Sequence, residues 1–568
     1  MIRNAVWPAS ARAPRTVGEA TDAASLGDTR GAGGTARAAF GMGAITAVSR
    51  VLGFVRVLVV AAVLGTTYLG NAFQSANLVS NVLFELLAAG ALSAVLVPTF
   101  VNLLERGDHK GAEDVAGGVL GVALAVLGAT TAIAVIGAPL VSRLLTAGVD
   151  PEVAADQRAL VTYLLRFFVP QVMLYAAGTI AMAILYAHRR FAITAAAPIG
   201  NTVVMVACLV AFRMVAGPNP GLDLGTAEKL LLVVAGTGGV LAFVGTLLVA
   251  TAASGFRLRP RWPRGDRRVH VALRQAGWGV ALHSAAGLLL GTAVVAGSAV
   301  EGGVVAYQVG WVFFLAPYGI LAQPIHTAIL PEMVTEARDF GLDRVAVSLR
   351  WAMERMALFV LPVTAGMIAL ALPAMRLVSF GAVTPAGTEL LAAGFAGLGV
   401  GLYAYGVFLL FARAYYALGD SRTPGTVALL SAVAGMATMG AGVVLLDGAA
   451  LVGVLGLGHS TAYTVGAVVL GMGLARRTGA SLWPTAVTRM VAVVTVVGLG
   501  AWATCGWLLG DDPSRLADFA VLAGVGIGGS VLILGGYAIL GVPSALTRRA
   551  TVPVRDGVAV DRPLGEPT

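Results

Sequence analysis

The residues best placed to do chemistry are two arginines, Arg50 and Arg56, six positions apart in the otherwise apolar run AVSRVLGFVRVLVVAAVLG. At 100° per helical residue their side chains point about 120° apart and stand one to two turns apart along the axis. They can therefore line one hydrated cavity. Arginine offers a planar fork of donors that matches phosphate oxygens two at a time, so an anionic phosphate group is the natural ligand for such a pair. The following run, NAFQSANLVSNVLFELLAAGALSAVLVPTF, carries Asn71, Gln74, Asn77, Ser80, Asn81 and Glu85. Positions 74, 77, 81 and 85 fall on one helical face. In a membrane such a stripe must face protein or water. Glu85 is in a position to pair with Arg50 or Arg56. Two plainer uses remain open: the arginines snorkel to an interface, or the stripe only joins two helices.

Other ionisable or polar residues sit in apolar runs, where an unpaired charge costs several kcal/mol and is a functional candidate by default. These are Arg166, His283, Gln308, and Glu354 with Arg355. A lone His283 without a carboxylate partner is a poor sign of proton coupling. Cys208 and Cys505 have no Cys or His at ligand spacing and are expected to be packing residues. No Walker A, H-E-x-x-H or G-x-S-x-G motif occurs, and no cluster of metal-ligand residues. The glycines of GTGGVLAFVG, 236–245, read as helix-packing positions. No cofactor and no metal are expected.

The elements that must hold these residues follow from composition. Of 568 residues, 58% are hydrophobic and 12% charged, against roughly 25% charged in a soluble protein. The fold class is an all-α polytopic membrane protein with about fourteen transmembrane helices. The net charge of +9 comes from arginines clustered beside apolar runs without aromatic interleaving, so no nucleic-acid partner is expected. Basic residues gather in alternate loops: Arg106 and Lys110; Arg189 and Arg190; the run from Arg257 to Arg268; Arg338 and Arg344; Arg422; Arg476 and Arg477. The positive-inside rule makes those loops cytoplasmic, with both termini inside. The division expected is a disordered basic tail over 1–37, six helices over 38–254, a basic linker over 255–270, six more helices over 271–476, two further helices over 477–545, and a disordered tail over 546–568. ALSAVLVPTFVNLLERGD around Pro98 and ILYAHRRFAITAAAP around Tyr186 recur as IHTAILPEMVTEARDFG and YYALGDSRTPGTVAL. The spacing of about 230 residues suggests two parallel six-helix repeats, an arrangement seen among transporters.

SRVLGFVR from Ser49 to Arg56, then NAF, then GALSAVLVPTF from Gly90, resembles the N-terminal signature of the MurJ (MviN) family. YGILAQPIHTAILPEM and ARAYYALGDSRTP extend the resemblance over most of the chain. That family comprises lipid II flippases of the multidrug/oligosaccharidyl-lipid/polysaccharide exporter superfamily. The resemblance implies transfer of an undecaprenyl-linked peptidoglycan precursor from the inner to the outer leaflet of the bacterial cytoplasmic membrane, without enzymatic chemistry. It implies that Arg50, Arg56 and Asn81 bind the substrate, with Ser49, Gln74, Asn77 and Glu85 beside them. Implied partners are the lipid-linked glycan, membrane lipids and cell-wall synthesis proteins. Four positions depart from the family pattern: Asn71 stands for an Asp, Phe84 for an Arg, Ala89 for a Glu and Val312 for an Arg. An ion-coupled multidrug or polysaccharide-lipid exporter and a non-transporting scaffold are the competing readings.

Overall fold

The computed structural model describes residues 29–84, 90–262, 284–510 and 514–542. Glu85, Ala89 and His283 lie outside them, as do residues 1–28 and the expected C-terminal tail. Among the described residues every regular element is helical. The first helix, α1 (Thr29–Leu64), begins ahead of the start expected near Ala38, and its apolar stretch is Ile45–Leu64.

Crossings are often built from two helices. The second pairs α2 (Tyr68–Phe84) with α3 (Gly90–Glu105). The third pairs α4 (His109–Ile136) with α5 (Ala138–Leu145), broken at Gly137 ahead of Pro139. Next come α6 (Pro151–Phe168) with α7 (Gln171–Ala187), and α8 (Phe191–Ala216). The sixth is α9 (Thr226–Val233), a π-turn over Val234–Gly238, and α10 (Gly239–Ala253). In the second half, α11 (Ser284–Gly297) precedes α12 (Gly303–Pro317), a π-turn over Tyr318–Ala322, and α13 (Gln323–Asp339). Then follow α14 (Leu342–Ala369), α15 (Ala371–Val378), and α16 (Pro385–Gly399) with α17 (Leu402–Ala417), bent by 42°. The last four are α18 (Arg422–Leu445), α19 (Gly448–Thr478), α20 (Thr485–Leu508) and α21 (Arg515–Ile539). Among the described residues, eleven helices or helix runs are long and apolar enough to cross a membrane, and the bent pair makes twelve. Adding α2–α3 and the shorter α11 gives the fourteen crossings that the loop charges require.

The two halves repeat each other element by element. The short α5 recurs as α15, and α6–α7 recurs as α16–α17. Within the first half α1 packs on α8, α2 on α6, and α10 on α7 and α8; within the second, α19 packs on α16, α17 and α18. The two C-terminal helices dock on the second half: Arg376 of α15 faces Asp518 of α21 at 3.6 Å, and Arg515 donates to the Ser379 carbonyl at 2.9 Å. Outward-facing side chains such as Ile136, Val444, Trp507 and Ile539 are more than 80% exposed, which suits contact with lipid tails.

Small residues set the helix spacing. A Cβ on Gly397 of α16 would stand 2.1 Å from the Gly453 carbonyl of α19, a distance only a glycine pair allows. Gly397→Ala should therefore force these helices apart at a cost of about 1–3 kcal/mol. The check is the midpoint of thermal unfolding in detergent, which should fall.

At the face carrying the basic loops, Asp420 accepts from the Thr423 amide at 3.0 Å and hydroxyl at 2.7 Å, and from Arg477 at 2.7 Å. Partial burial works against its charge, but these donors outweigh it and bring the carboxyl down to about 2. A carboxylate with a depressed pKa stabilises the fold above its unfolded value and loses that contribution only as pH falls through the folded one. Asp420→Asn should lower thermal stability equally from pH 5 to 8, with the difference from wild type shrinking between pH 4 and 2. The segment 254–262 runs along the same face on α4: the Arg257 amide donates to Glu113 at 2.9 Å, the Arg261 amide to the Gly117 carbonyl at 2.9 Å, and the Arg261 guanidinium pairs with Asp114.

Candidate functional site

On the face opposite the basic loops, turns of the two halves interlock. Asn71 at the start of α2 is fully buried; its Nδ2 donates to the Val300 carbonyl at 2.8 Å and its Oδ1 accepts from the Val304 amide at 3.0 Å. Both halves of the amide are used, which a carboxylate could not do because it has no donor. That accounts for asparagine where the family resemblance leads one to expect aspartate. Thr66 lies beside Gly302, which must be glycine because its φ is +76° and because a Cβ there would stand 2.5 Å from the Thr66 backbone. The Thr66 and Thr384 hydroxyls are 3.4 Å apart, and the Ala382 amide donates to the Ala62 carbonyl at 2.8 Å. The seam is thus closed by backbone and small side chains.

Away from this seam the halves part. Among the described residues, extensive contact between them runs through α1 with α12 and α2 with α12; nothing comparable joins α3, α7 or α8 to α13, α14 or α17. Among the described residues the halves are joined at the face opposite the basic loops and part toward those loops, which leaves a cleft between them. Phe54 of α1 meets Phe313 of α12 with ring centroids 4.3 Å apart, fixing how α1 lies on the far wall.

The candidate residues project into this cleft from several elements. Arg50 is exposed, and its Nη1 reaches the π-turn between α12 and α13, where a Cβ on Gly319 would stand 3.0 Å away. Arg56, half-buried on the next turns of α1, lies within electrostatic reach of Tyr175 of α7. The Tyr175 hydroxyl is 3.5 Å from Asn81 Oδ1, at the outer limit of hydrogen bonding. Three helices therefore bring Arg56, Tyr175 and Asn81 together. Across the cleft, Arg413 of α17 lies within electrostatic reach of Tyr318 and His326, which are 3.3 Å apart on the π-turn and α13. A buried aromatic block, in which Tyr307 bonds His459 at 2.6 Å and Tyr463 lies 3.3 Å from the same ring, backs this wall.

The polar stripe of the sequence is divided by the fold. Asn77 and Asn81 are half-buried and accessible from the cleft, whereas Gln74 is buried nearer the seam and Glu85 lies outside the described residues. Ser49 is half-buried one residue before Arg50. Val312 is half-buried on α12 and brings no charge, and the Gln308 Oε1 on that helix is buried without a partner. Two other candidates do not join this group. Arg166 belongs to a separate cavity between α5, α6 and α9. Arg355 stacks over Trp351 of its own helix, 5.5 Å from the ring centroid, with Glu354 beside it on α14. Tyr175 and Arg413 escaped the sequence reading because each is a single polar residue in an apolar run; only "ARAYY" around Arg413 drew notice, and then as part of a resemblance.

Two repeated helical halves, joined at one face and carrying arginines where they part, are the architecture of an alternating-access membrane transporter. The chain belongs to the MurJ family: the family profile described as lipid II flippase MurJ matches residues 60–509. A Vibrio cholerae relative described as a probable lipid II flippase MurJ is 28% identical over 409 residues, covering 68% of this chain and 74% of that protein. One from Rhizobium tropici, described in the same words, is 26% identical and covers 89% of this chain and 95% of its own. Among solved structures, a lipid II flippase MurJ in an inward closed conformation superposes with a TM-score of 0.70 at 17% identity, covering 89% of this chain and 99% of that one. An inward-facing multidrug transporter of the MATE family superposes at 0.60 and 13% identity, covering 76% and 94%. These superpositions speak to the fold.

Proposed function

We infer that the chain is a transporter, not an enzyme, that moves lipid II from the inner to the outer leaflet of the bacterial cytoplasmic membrane. The observation that supports this reading is a set of three arginines where the halves part: Arg50 against Gly319 of the π-turn, Arg56 within electrostatic reach of Tyr175, and Arg413 within reach of Tyr318 on that same turn. The substrate's pyrophosphate is the group these guanidiniums suit, since each can hold two of its oxygens. Asn77, Asn81, Ser49 and Tyr175 supply neutral donors for the attached sugars, and Gln74 and Glu85 belong to the same stripe. The basic loops face the cytoplasm, with both termini inside, so the open end of the cleft meets the leaflet in which the precursor is made.

The segments 38–254 and 271–476 are the bodies that rock against each other. The helices within 477–545 flank a path for the lipid tail, and the basic loops offer a surface to cell-wall synthesis proteins. The deciding experiment is leaflet-resolved labelling of lipid II after depletion of the protein. Lipid II should accumulate on the cytoplasmic leaflet; an unchanged distribution would refute the assignment.

A further inference from the structure

A second basic site lies away from the cleft, on the face opposite the basic loops. Here α5 runs antiparallel to α6, held by a 2.7 Å hydrogen bond from the Thr162 hydroxyl to the Ser142 hydroxyl. Together with the segment leading into α9 they border an open concavity of about 890 Å³. Its lining includes Arg143 from α5, Arg158 and Arg166 from α6, and Lys229 from α9, against two carboxylates, Asp156 and Asp223. None of the four cations is within ion-pairing distance of a carboxylate among the described residues. Arg158 is oriented by its Nε, which donates to the Thr146 hydroxyl at 3.3 Å. The remaining lining is largely apolar, with Leu160, Leu222 and Tyr163 among it.

This placement runs against the charge distribution of the rest of the chain. Basic residues concentrate in the loops of the other face, as the positive-inside rule requires, yet three separate elements here place four of them around one concavity, Arg158 and Lys229 half-buried and Arg143 and Arg166 exposed at its rim. Several cations gathered beside a low-dielectric layer repel one another and favour an anion between them. The space exceeds that of a phosphate ion and lies in the range of small-molecule pockets. Its mix of guanidinium, hydroxyl and aliphatic lining matches a phosphate with a glycerol or sugar attached and an acyl chain leaving along the lipid-facing side.

We propose that the cavity between α5, α6 and α9 binds the phosphate headgroup of an anionic lipid in the leaflet opposite the basic loops. The site is distinct from the cleft, shares no residue with it, and does not depend on what the cleft carries. Arg143 and Arg166 grip the phosphate, Arg158 and Lys229 add charge, and the Thr162 and Ser142 hydroxyls lie at the cavity wall.

The test uses the full-length protein in nonionic detergent, carrying Arg50→Ala and Arg56→Ala so that the cleft contributes little, with dioctanoyl phosphatidylglycerol as the probe. One equivalent should bind saturably, and adding Arg143→Gln and Arg166→Gln should weaken binding at least about tenfold, since each removes charge-assisted hydrogen bonds. Arg→Lys at the same two positions should retain most of the affinity lost with glutamine, and raised salt should weaken binding further. An unchanged affinity in the glutamine variant, with the protein still monodisperse, would overturn the site. Inorganic phosphate binding as tightly as the lipid would overturn the lipid assignment in favour of a soluble anion.

Discussion

Arg50→Ala/Arg56→Ala should reach the membrane at wild-type abundance and fail to support growth of cells depleted of the native protein. The abundance is expected because neither side chain is part of the packed core: Arg50 is exposed and Arg56 only half-buried, with Gly53 between them facing open space. The failure is expected because each guanidinium contributes hydrogen bonds to a charged partner worth about 1.5–3 kcal/mol each. Loss of one should slow transport roughly ten- to a hundredfold at limiting substrate, and loss of both should abolish it. Lysine at either position keeps the charge but not the two-pronged geometry, so Arg56→Lys should complement partially. Arg413→Ala should behave like the single arginine variants, although it comes from the other half of the molecule. Measuring complementation beside quantitative immunoblotting separates transport from folding; full growth of the double alanine variant would end the phosphate-binding role.

The second large effect concerns the seam. With the Thr66 and Thr384 hydroxyls 3.4 Å apart, cysteines at these positions bring two sulfurs of opposite halves within reach of each other. Thr66→Cys/Thr384→Cys should be active when reduced and inactive when oxidised, with activity returning on addition of a reductant. Rocking of the halves has to separate Asn71 from Val300 and Val304, Thr66 from Gly302, and Ala62 from Ala382 in one step, because all of these contacts cross the same boundary. A single covalent link there holds the cleft closed at that face. Lipid II exposure on the far leaflet, followed before and after oxidation, reads the result; continued transport by the fully oxidised protein would mean the seam is not a gate.

Much of the fold was legible in the sequence because membrane physics leaves few alternatives. Backbone polar groups in lipid must be satisfied within the segment, so apolar runs become helices, and the alternation of basic loops set the count of crossings. The breaks within crossings were not legible. Pro317 and Pro324 flank the π-turn at Tyr318–Ala322, and Gly399 and Gly401 flank the bend between α16 and α17, but prolines and glycines also occur inside unbroken helices, so packing decides which of them break one. At the site, six-residue spacing picked out Arg50 and Arg56, and the helical stripe picked out Asn77 and Asn81. Gln74 fits the same stripe, yet the fold buries it nearer the seam, since depth along a helix cannot be read from angular phase.

Asn71 shows the limit most clearly. In the sequence it is one more polar residue and a departure from a family pattern; in the fold it is the buried clasp between two turns some 230 positions apart, a role set by which backbone groups meet it. The sequence by itself determined that this chain is a fourteen-span helical membrane protein with two cations in its first span and a recurrent half, because hydropathy and loop charge act locally along the chain. Only the tertiary structure decided that Arg50 and Arg413 both lie beside the π-turn at Tyr318–Ala322, that Arg166 belongs to a different cavity, and that the halves are joined at the face opposite the basic loops. Those outcomes depend on contacts between residues hundreds of positions apart, which no local pattern encodes.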